Sequence, residues 1–218
     1  MSLWDAIKGL FGNTDSSKPS LANPVPTPPP ELVSPPPSKG WRHAVDPIFS
    51  LLGHTEGTDR GDGYNESLAY GAYTGGDVDL VNMSLAQIDA LQTKMLNHPA
   101  NKWNSSALGR YQIVRTTLRK LRAGTSLNTK FSVELQDLFA LKLLVGRGLV
   151  RWLESRMTTS FFIDQLAKEW ASIPNSKGNG HYSGQRVGTS VSTLVDTLGL
   201  VASRATPSVI AEIKRLTA

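Results

Sequence analysis

The chain contains no cysteine. Disulfides, thiolate nucleophiles and cysteine-ligated metals are therefore excluded. Histidine is sparse: His43, His54, His98 and His181 are scattered with no HxxxH spacing, so neither a zinc site nor any other cofactor is expected. Long apolar runs are also missing. The longest candidate, Leu138 to Leu153, is interrupted by Lys142, Arg147 and Arg151, which argues against a membrane span. The opening MSLWDAIKGLFG has no basic lead and carries Asp5 within its apolar stretch, so no signal peptide is expected and synthesis in the cytoplasm is.

What is present suits a folded domain with an appendage. Of 218 residues, 39% are hydrophobic and 19% charged, enough for a real core. The net charge of +5 favours polyanionic partners: nucleic acid, an anionic membrane face or an acidic cell wall. Nine of the 13 prolines fall between Pro19 and Pro37. Such a segment forms neither helix nor sheet and reads as an extended spacer over 15–40. Ahead of it, Leu3, Trp4, Ile7, Leu10 and Phe11 recur at helical spacing and predict a short amphipathic helix over 1–14. A helix this short needs a surface to bind. With one Asp and one Lys on its polar face, a protein surface is favoured over a membrane.

The body, 41–218, is mostly helical in pattern. Asp46 and Pro47 read as an N-cap and first-turn proline, followed by Ile48, Phe49, Leu51 and Leu52. Ser84 with Gln87 forms a capping box ahead of Leu85, Ile88, Leu91 and Met95. Further helices are predicted near 109–122, 132–145, 148–157, 160–172, 190–203 and 207–217. Residues 57–82 differ, with Tyr64, Tyr70 and Tyr73 among Gly57, Gly61, Gly63, Gly71, Gly75 and Gly76. This stretch reads as short strands and turns. The expected class is α+β, mainly helical with one small antiparallel sheet.

Glu56 is the residue whose setting suggests chemistry. It ends the helix begun near Asp46, where the helix dipole disfavours a carboxylate. The apolar turn of Leu51 and Leu52 and the acidic Asp59, Asp62 and Glu66 would also raise its pKa. A carboxyl group that keeps its proton near neutrality is what a glycosidic oxygen needs in order to leave. By periodicity alone, an exposed helix-end glutamate is the favoured reading of the position.

Motif order adds to this. Thr55-Glu56-Gly57-Thr58-Asp59 resembles the SEGTD motif of the phage lambda endolysin family, whose glutamate is the catalytic acid. Ser106-Ala107-Leu108-Gly109-Arg110-Tyr111-Gln112 resembles that family's GAGRYQ, with His98-Pro99 upstream as in the family. Trp170-Ala171-Ser172-Ile173-Pro174 resembles its WASLP, and Tyr182-Ser183-Gly184-Gln185 the YGQ that follows. Four blocks in one order are far more specific than any alone.

The resemblance implies a lysozyme-like fold and a lytic transglycosylase acting on peptidoglycan glycan strands. Such enzymes cleave the β-1,4 bond between N-acetylmuramic acid and N-acetylglucosamine without water and leave a 1,6-anhydro end. Glu56 would be general acid and then base. Tyr111 and Gln112 would line the cleft, Tyr182 and Gln185 the opposite wall, and Asp59 would serve binding or structure. A hydrolytic muramidase using Asp59, Asp62, Asp77 or Asp79 stays open. The common phage lysozyme spacing, an aspartate nine residues after the acid, is not met, since that position is Asn65. A third reading is a virion protein that binds wall glycan or nucleic acid without cleaving; the resemblance implies no obligatory nucleic acid. The compact family has no proline-rich lead, so the resemblance leaves a lysis enzyme and a wall-opening virion component side by side, each acting on periplasmic peptidoglycan.

Trp170 fits a core face with Phe162, Ile163 and Leu166. Trp103 fits either core or cleft, and Arg110 is read first as orienting its loop. Lys102 to Arg122 holds six basic residues and no acidic one, a phosphate-binding face in isolation or a solvated helix.

Overall fold

Five of the eight helices among the described residues start at a serine or threonine whose hydroxyl serves the first turn. The computed structural model describes residues 40–218, so the expected N-terminal helix and all but the last residue of the spacer lie outside the described residues. Helix α1 spans Trp41–Thr55, α2 Leu85–Leu96, α3 Arg115–Leu121, α4 Val133–Gly146, α5 Leu149–Leu153, α6 Thr159–Glu169, α7 Val191–Arg204 and α8 Pro207–Thr217. Ser84, Ser132, Thr158, Ser190 and Thr206 each accept an N-terminal backbone amide of the helix that follows. Each satisfies a donor that the helix itself cannot. The Ser84–Gln87 box forms in both directions.

Helix α1 departs from its expected start. It begins at Trp41, and Pro47 lies inside it. Its first amide is capped by Glu212 Oε2 of α8, 3.0 Å from Trp41 N and 171 positions away in sequence. Pro47 offers no N–H to the His43 carbonyl one turn back. That oxygen accepts instead from Arg204 Nη1 of α7 at 3.1 Å. Arg204→Met should therefore cost about 1–2 kcal/mol, the penalty of an orphaned carbonyl. Urea unfolding would check this, and an unchanged midpoint would mean that water replaces the guanidinium.

The buried face of α1 (Ala44, Val45, Ile48, Phe49 and Leu52) lies chiefly against α7, with α8 and α4 also in contact. Leu194, Leu198 and Val201 of α7 and Val209 and Ile213 of α8 complete that layer. Helix α4 is buried on most sides, through Phe139, Ala140, Leu141 and Leu144 as well as the polar Gln136 and Asp137. Trp170 is 3% exposed and belongs to the core, as its helical register predicts.

The small sheet expected over 57–82 is not formed among the described residues. That stretch holds three 3₁₀ turns, Thr58–Arg60, Gly63–Asn65 and Leu80–Asn82. Antiparallel pairing is confined to isolated bridges: Ser67 with Leu108, Leu108 with Ile113, and Ser84 with Lys130. The reason is conformational. Gly57, Gly63, Ala69, Tyr70, Gly71, Gly75 and Gly76 all have positive φ, which no extended strand accommodates. Irregular buried backbone still needs partners. Gln136 Nε2 donates to the carbonyls of Tyr64 and Phe131, both at 3.0 Å, and its Oε1 accepts from Arg110 N. Gln92 Nε2 likewise holds the Ser106 and Ile113 carbonyls at 2.9 Å. Two helix amides thus replace much of what a ladder would supply. Residues 109–114 also fall outside the predicted 109–122 helix, because Gly109 and Gln112 have positive φ and the Leu108–Ile113 bridge closes a turn there.

Candidate functional site

Glu56 caps α1, its amide still bonded to the Leu52 carbonyl at 2.8 Å. Gly57 then turns the chain with φ +79°, a left-handed step that ends the helix and that glycine adopts without strain. Thr58 is buried, its hydroxyl between the Gly53 carbonyl at 3.2 Å and the Arg110 carbonyl at 2.9 Å. Asp59 pairs with Arg110 through both carboxylate oxygens, at 3.0 and 3.3 Å. The glycine at 53 makes this possible, because a Cβ there would lie 2.4 Å from Asp59 Oδ1. Two contacts thereby fasten the Thr55–Asp59 block to the Ser106–Gln112 block.

The third block approaches from the other side. Ser172 Oγ lies 2.6 Å from Glu56 Oε1 and 3.0 Å from Thr55 Oγ1. Its carbonyl accepts from Gly188 N at 2.7 Å. Gly188 packs so closely on Thr55 that a Cβ would meet its backbone at 3.1 Å. The end of the 172–190 segment is thus set against the last turn of α1.

Burial raises the pKa of Glu56, while the Ser172 hydroxyl and backbone pull it down. Burial prevails, so the group stays protonated above the usual carboxylate range. The expectation that acidic neighbours contribute is corrected by where they point. Asp59 is committed to Arg110, and Glu66 folds back to accept from the amides of Asp62 and Ser67.

Tyr111 does not line a cleft. It is 1% exposed, its ring set against Phe49 with centroids 5.0 Å apart. Its hydroxyl donates to Asp137 Oδ1 at 2.7 Å, and burial followed by the Asp137 charge holds the phenol neutral. Asp137 also accepts from Tyr64 OH at 2.8 Å and from Arg42 Nε at 3.1 Å. Tyr111 is therefore an anchor of its loop, and Trp170 Nε1 reinforces it by donating to the Tyr111 carbonyl. Gln112 is half-buried and uses its amide on the Gly109 carbonyl at 2.9 Å, closing the same turn. Tyr182 is exposed, and Gln185 Oε1 accepts from its amide at 3.1 Å, so the two shape one loop. Trp103 is 75% exposed and is not core. Of the expected site residues, Asp59 is linked through Arg110 to the rings of Tyr64 and Tyr111, Glu56 has Ser172 as its side-chain partner, and Gln112 and Gln185 bond within their own turns.

The basic stretch is largely spoken for. Arg115, Arg119 and Arg122 converge on Asp89, the closest contact being 2.6 Å from Arg119. Arg110 is held by Asp59, which leaves little of an open phosphate face. Among the described residues no cluster suits a metal ion, and no helix is long and apolar enough to cross a membrane.

Two residues beside Glu56 were not singled out from sequence for a role. Ser172 sat inside a recognised motif without one. Tyr70 is 66% exposed, and its hydroxyl lies 3.3 Å from where a Gly57 Cβ would be. Ala69, Tyr70 and Gly71 have consecutive φ values of +55, +54 and +80°, a left-handed turn that costs energy at the two non-glycine positions. An aromatic between small residues, Ala69-Tyr70-Gly71-Ala72, was the available signal.

A family model described as Endolysin covers residues 47–198. No curated protein and no solved structure matches the chain.

Proposed function

The chain belongs to the endolysin family, phage enzymes that degrade bacterial peptidoglycan, and on that premise we propose that it is a lytic transglycosylase of lysozyme-like fold with Glu56 as its single catalytic carboxyl group. The observation that carries this reading is the half-buried Glu56, its pKa raised by burial, with the nearby Asp59 already paired with Arg110. Hydrolysing glycosidases use two carboxyl groups, one of which activates water or attacks the sugar. Here the candidate nearest in sequence is neutralised by a guanidinium.

In the proposed reaction Glu56 gives its proton to the oxygen bridging N-acetylmuramic acid and N-acetylglucosamine. The C1–O bond breaks as the muramic C6 hydroxyl attacks C1. The C6 proton passes to the Glu56 carboxylate, which regenerates the acid and consumes no water. Mass spectrometry of fragments from purified peptidoglycan tests this directly. Anhydromuramic ends are expected; reducing ends would make the protein a muramidase.

Tyr70 is proposed as a sugar contact, since an exposed ring held by strained backbone beside the acid offers a flat apolar face. Tyr70→Ala should raise KM about two- to ten-fold, with little change in kcat. An unaltered KM would remove Tyr70 from the binding surface. The substrate is the glycan strand itself, and neither metal nor cofactor enters the proposal. The segment before residue 40 is proposed to tether the enzyme to a protein surface, as its sequence suggests.

A further inference from the structure

The hydroxyls of Thr55 and Ser172 form a chain that ends on the acid. Thr55 Oγ1 lies 3.2 Å from the Leu52 carbonyl, Ser172 Oγ lies 3.0 Å from Thr55 Oγ1, and Glu56 Oε1 lies 2.6 Å from Ser172 Oγ. Each hydroxyl has one proton and can both donate and accept. Two orientations follow. With Glu56 ionised, Ser172 donates to Oε1, and Thr55 can donate to Ser172. With the proton on Oε1, Glu56 donates to Ser172, Ser172 to Thr55, and Thr55 to the Leu52 carbonyl. Both orientations leave every donor satisfied, and the carbonyl at the far end can only accept.

We infer that Ser172 and Thr55 are positioning residues, a reversible pair of hydroxyls that holds the Glu56 carboxyl group in place through both of its protonation states. The inference rests on Glu56 being the acid of the proposed reaction. That reaction requires Glu56 to lose a proton to the bridging oxygen and regain one from the C6 hydroxyl. A fixed donor, such as a lysine, would hold the ionised form and oppose reprotonation. A fixed acceptor would hold the acid and oppose its release. A hydroxyl pair that turns over opposes neither, and no atom has to leave the site.

The geometry explains why both hydroxyls are held so firmly. Ser172 is nine-tenths buried, and its backbone is tied to Gly188. Gly188 abuts Thr55 too closely for a side chain. The relay is thus clamped between the end of α1 and the 172–190 segment.

Other charged groups on the surrounding elements are otherwise occupied or lie elsewhere. Asp59 and Arg110 are paired with each other. Arg204 of α7 binds the His43 carbonyl, and Glu212 of α8 caps Trp41, both near the opposite end of α1. The remaining titratable groups on these elements are Arg42, His43, Asp46 and His54 of α1, Arg60, Asp62, Tyr64, Glu66 and Tyr70 after it, Lys177, His181, Tyr182 and Arg186 in the 172–190 segment, Asp196 of α7, and Lys214 and Arg215 of α8. Burial and Ser172 account for the displacement of Glu56, with none of these groups contributing.

The test uses the full chain and two readouts. One is the carboxyl ¹³C titration of Glu56 by NMR, assigned by its absence in Glu56→Gln. The other is the pH dependence of kcat/KM on purified peptidoglycan. Ser172→Ala removes the donor to the ionised form, so the Glu56 titration and the alkaline limb of activity should both move up by about one pH unit. Thr55→Val is nearly isosteric and removes the onward acceptor needed by the protonated form. It should move both the other way, by a smaller amount. Ser172→Thr keeps a hydroxyl and should return the titration toward wild type. Unshifted titrations, or shifts of one sign in Ser172→Ala and Thr55→Val, would overturn the relay. If Ser172→Ala does not fold, the direction of the Thr55→Val shift decides alone. If the wild-type chain releases no glycan fragments, the proposed reaction fails, while the NMR titration still judges the hydroxyl pair.

Discussion

Glu56→Gln is expected to reduce peptidoglycan cleavage by about 10²–10⁴-fold, the usual contribution of a positioned general acid. Glutamine keeps the shape and can still accept from Ser172, so the loss would report the missing proton rather than a collapsed site. Stability should move in the opposite sense. The Glu56 pKa is raised in the folded protein by burial. Between its unfolded and folded pKa values the native state holds a proton that the unfolded chain has lost, so stability falls as pH rises through that window. Well below the unfolded value, near 4.5, both states are protonated and the penalty is absent. A neutral glutamine carries no such penalty. The variant should therefore be at least as stable as wild type near pH 7, with a flatter pH dependence of its unfolding midpoint above 4.5. A variant that is inactive and markedly less stable would show that Glu56 holds the fold together, and retained activity would reject it as the acid.

Asp137→Ala should be the most damaging change outside the acid itself, costing about 3–5 kcal/mol. One buried carboxylate holds Tyr64, Tyr111 and Arg42. Its loss leaves two tyrosine hydroxyls and a guanidinium to find other partners, one of the hydroxyls in a fully buried setting. Because Tyr111 anchors the loop that carries Arg110, and Arg110 holds Asp59 just beyond Glu56, the damage should reach activity as well. Chemical denaturation gives the first quantity. Asp137→Asn should lie between the two, since an amide oxygen can still accept from a tyrosine but loses the charge facing Arg42. A loss below about 1 kcal/mol for the alanine variant would mean that the network is replaceable by water.

Local signals were legible where local physics decides. The Ser84–Gln87 box, the Thr206-Pro207 start and the apolar registers of α4, α6 and α7 depend on residues within a turn or two of each other, and these helices form within a few residues of their expected bounds. Glu56 at the end of an apolar helix was legible for the same reason. Residues 57–82 form the expected turns without the expected sheet, because tyrosines among glycines fit a strand as well as a left-handed turn, and only φ distinguishes them. Tyr111 faces Asp137 and not a cleft, a distinction its motif does not carry, because a tyrosine looks the same in sequence in either setting.

By itself, the sequence determined the helical composition of the body, the identity of the candidate acid and the family to which the chain belongs, since each rests on near neighbours or on motif order. The tertiary structure decided the start of α1, through Glu212 at one end of the chain and Arg204 filling in for a missing proline N–H. It also decided what surrounds Glu56, by bringing Ser172 within 2.6 Å across 116 positions and turning Asp59 toward Arg110. A proton's affinity for a carboxyl group depends on burial and on the partners within hydrogen-bond reach, and both are set by residues far away along the chain.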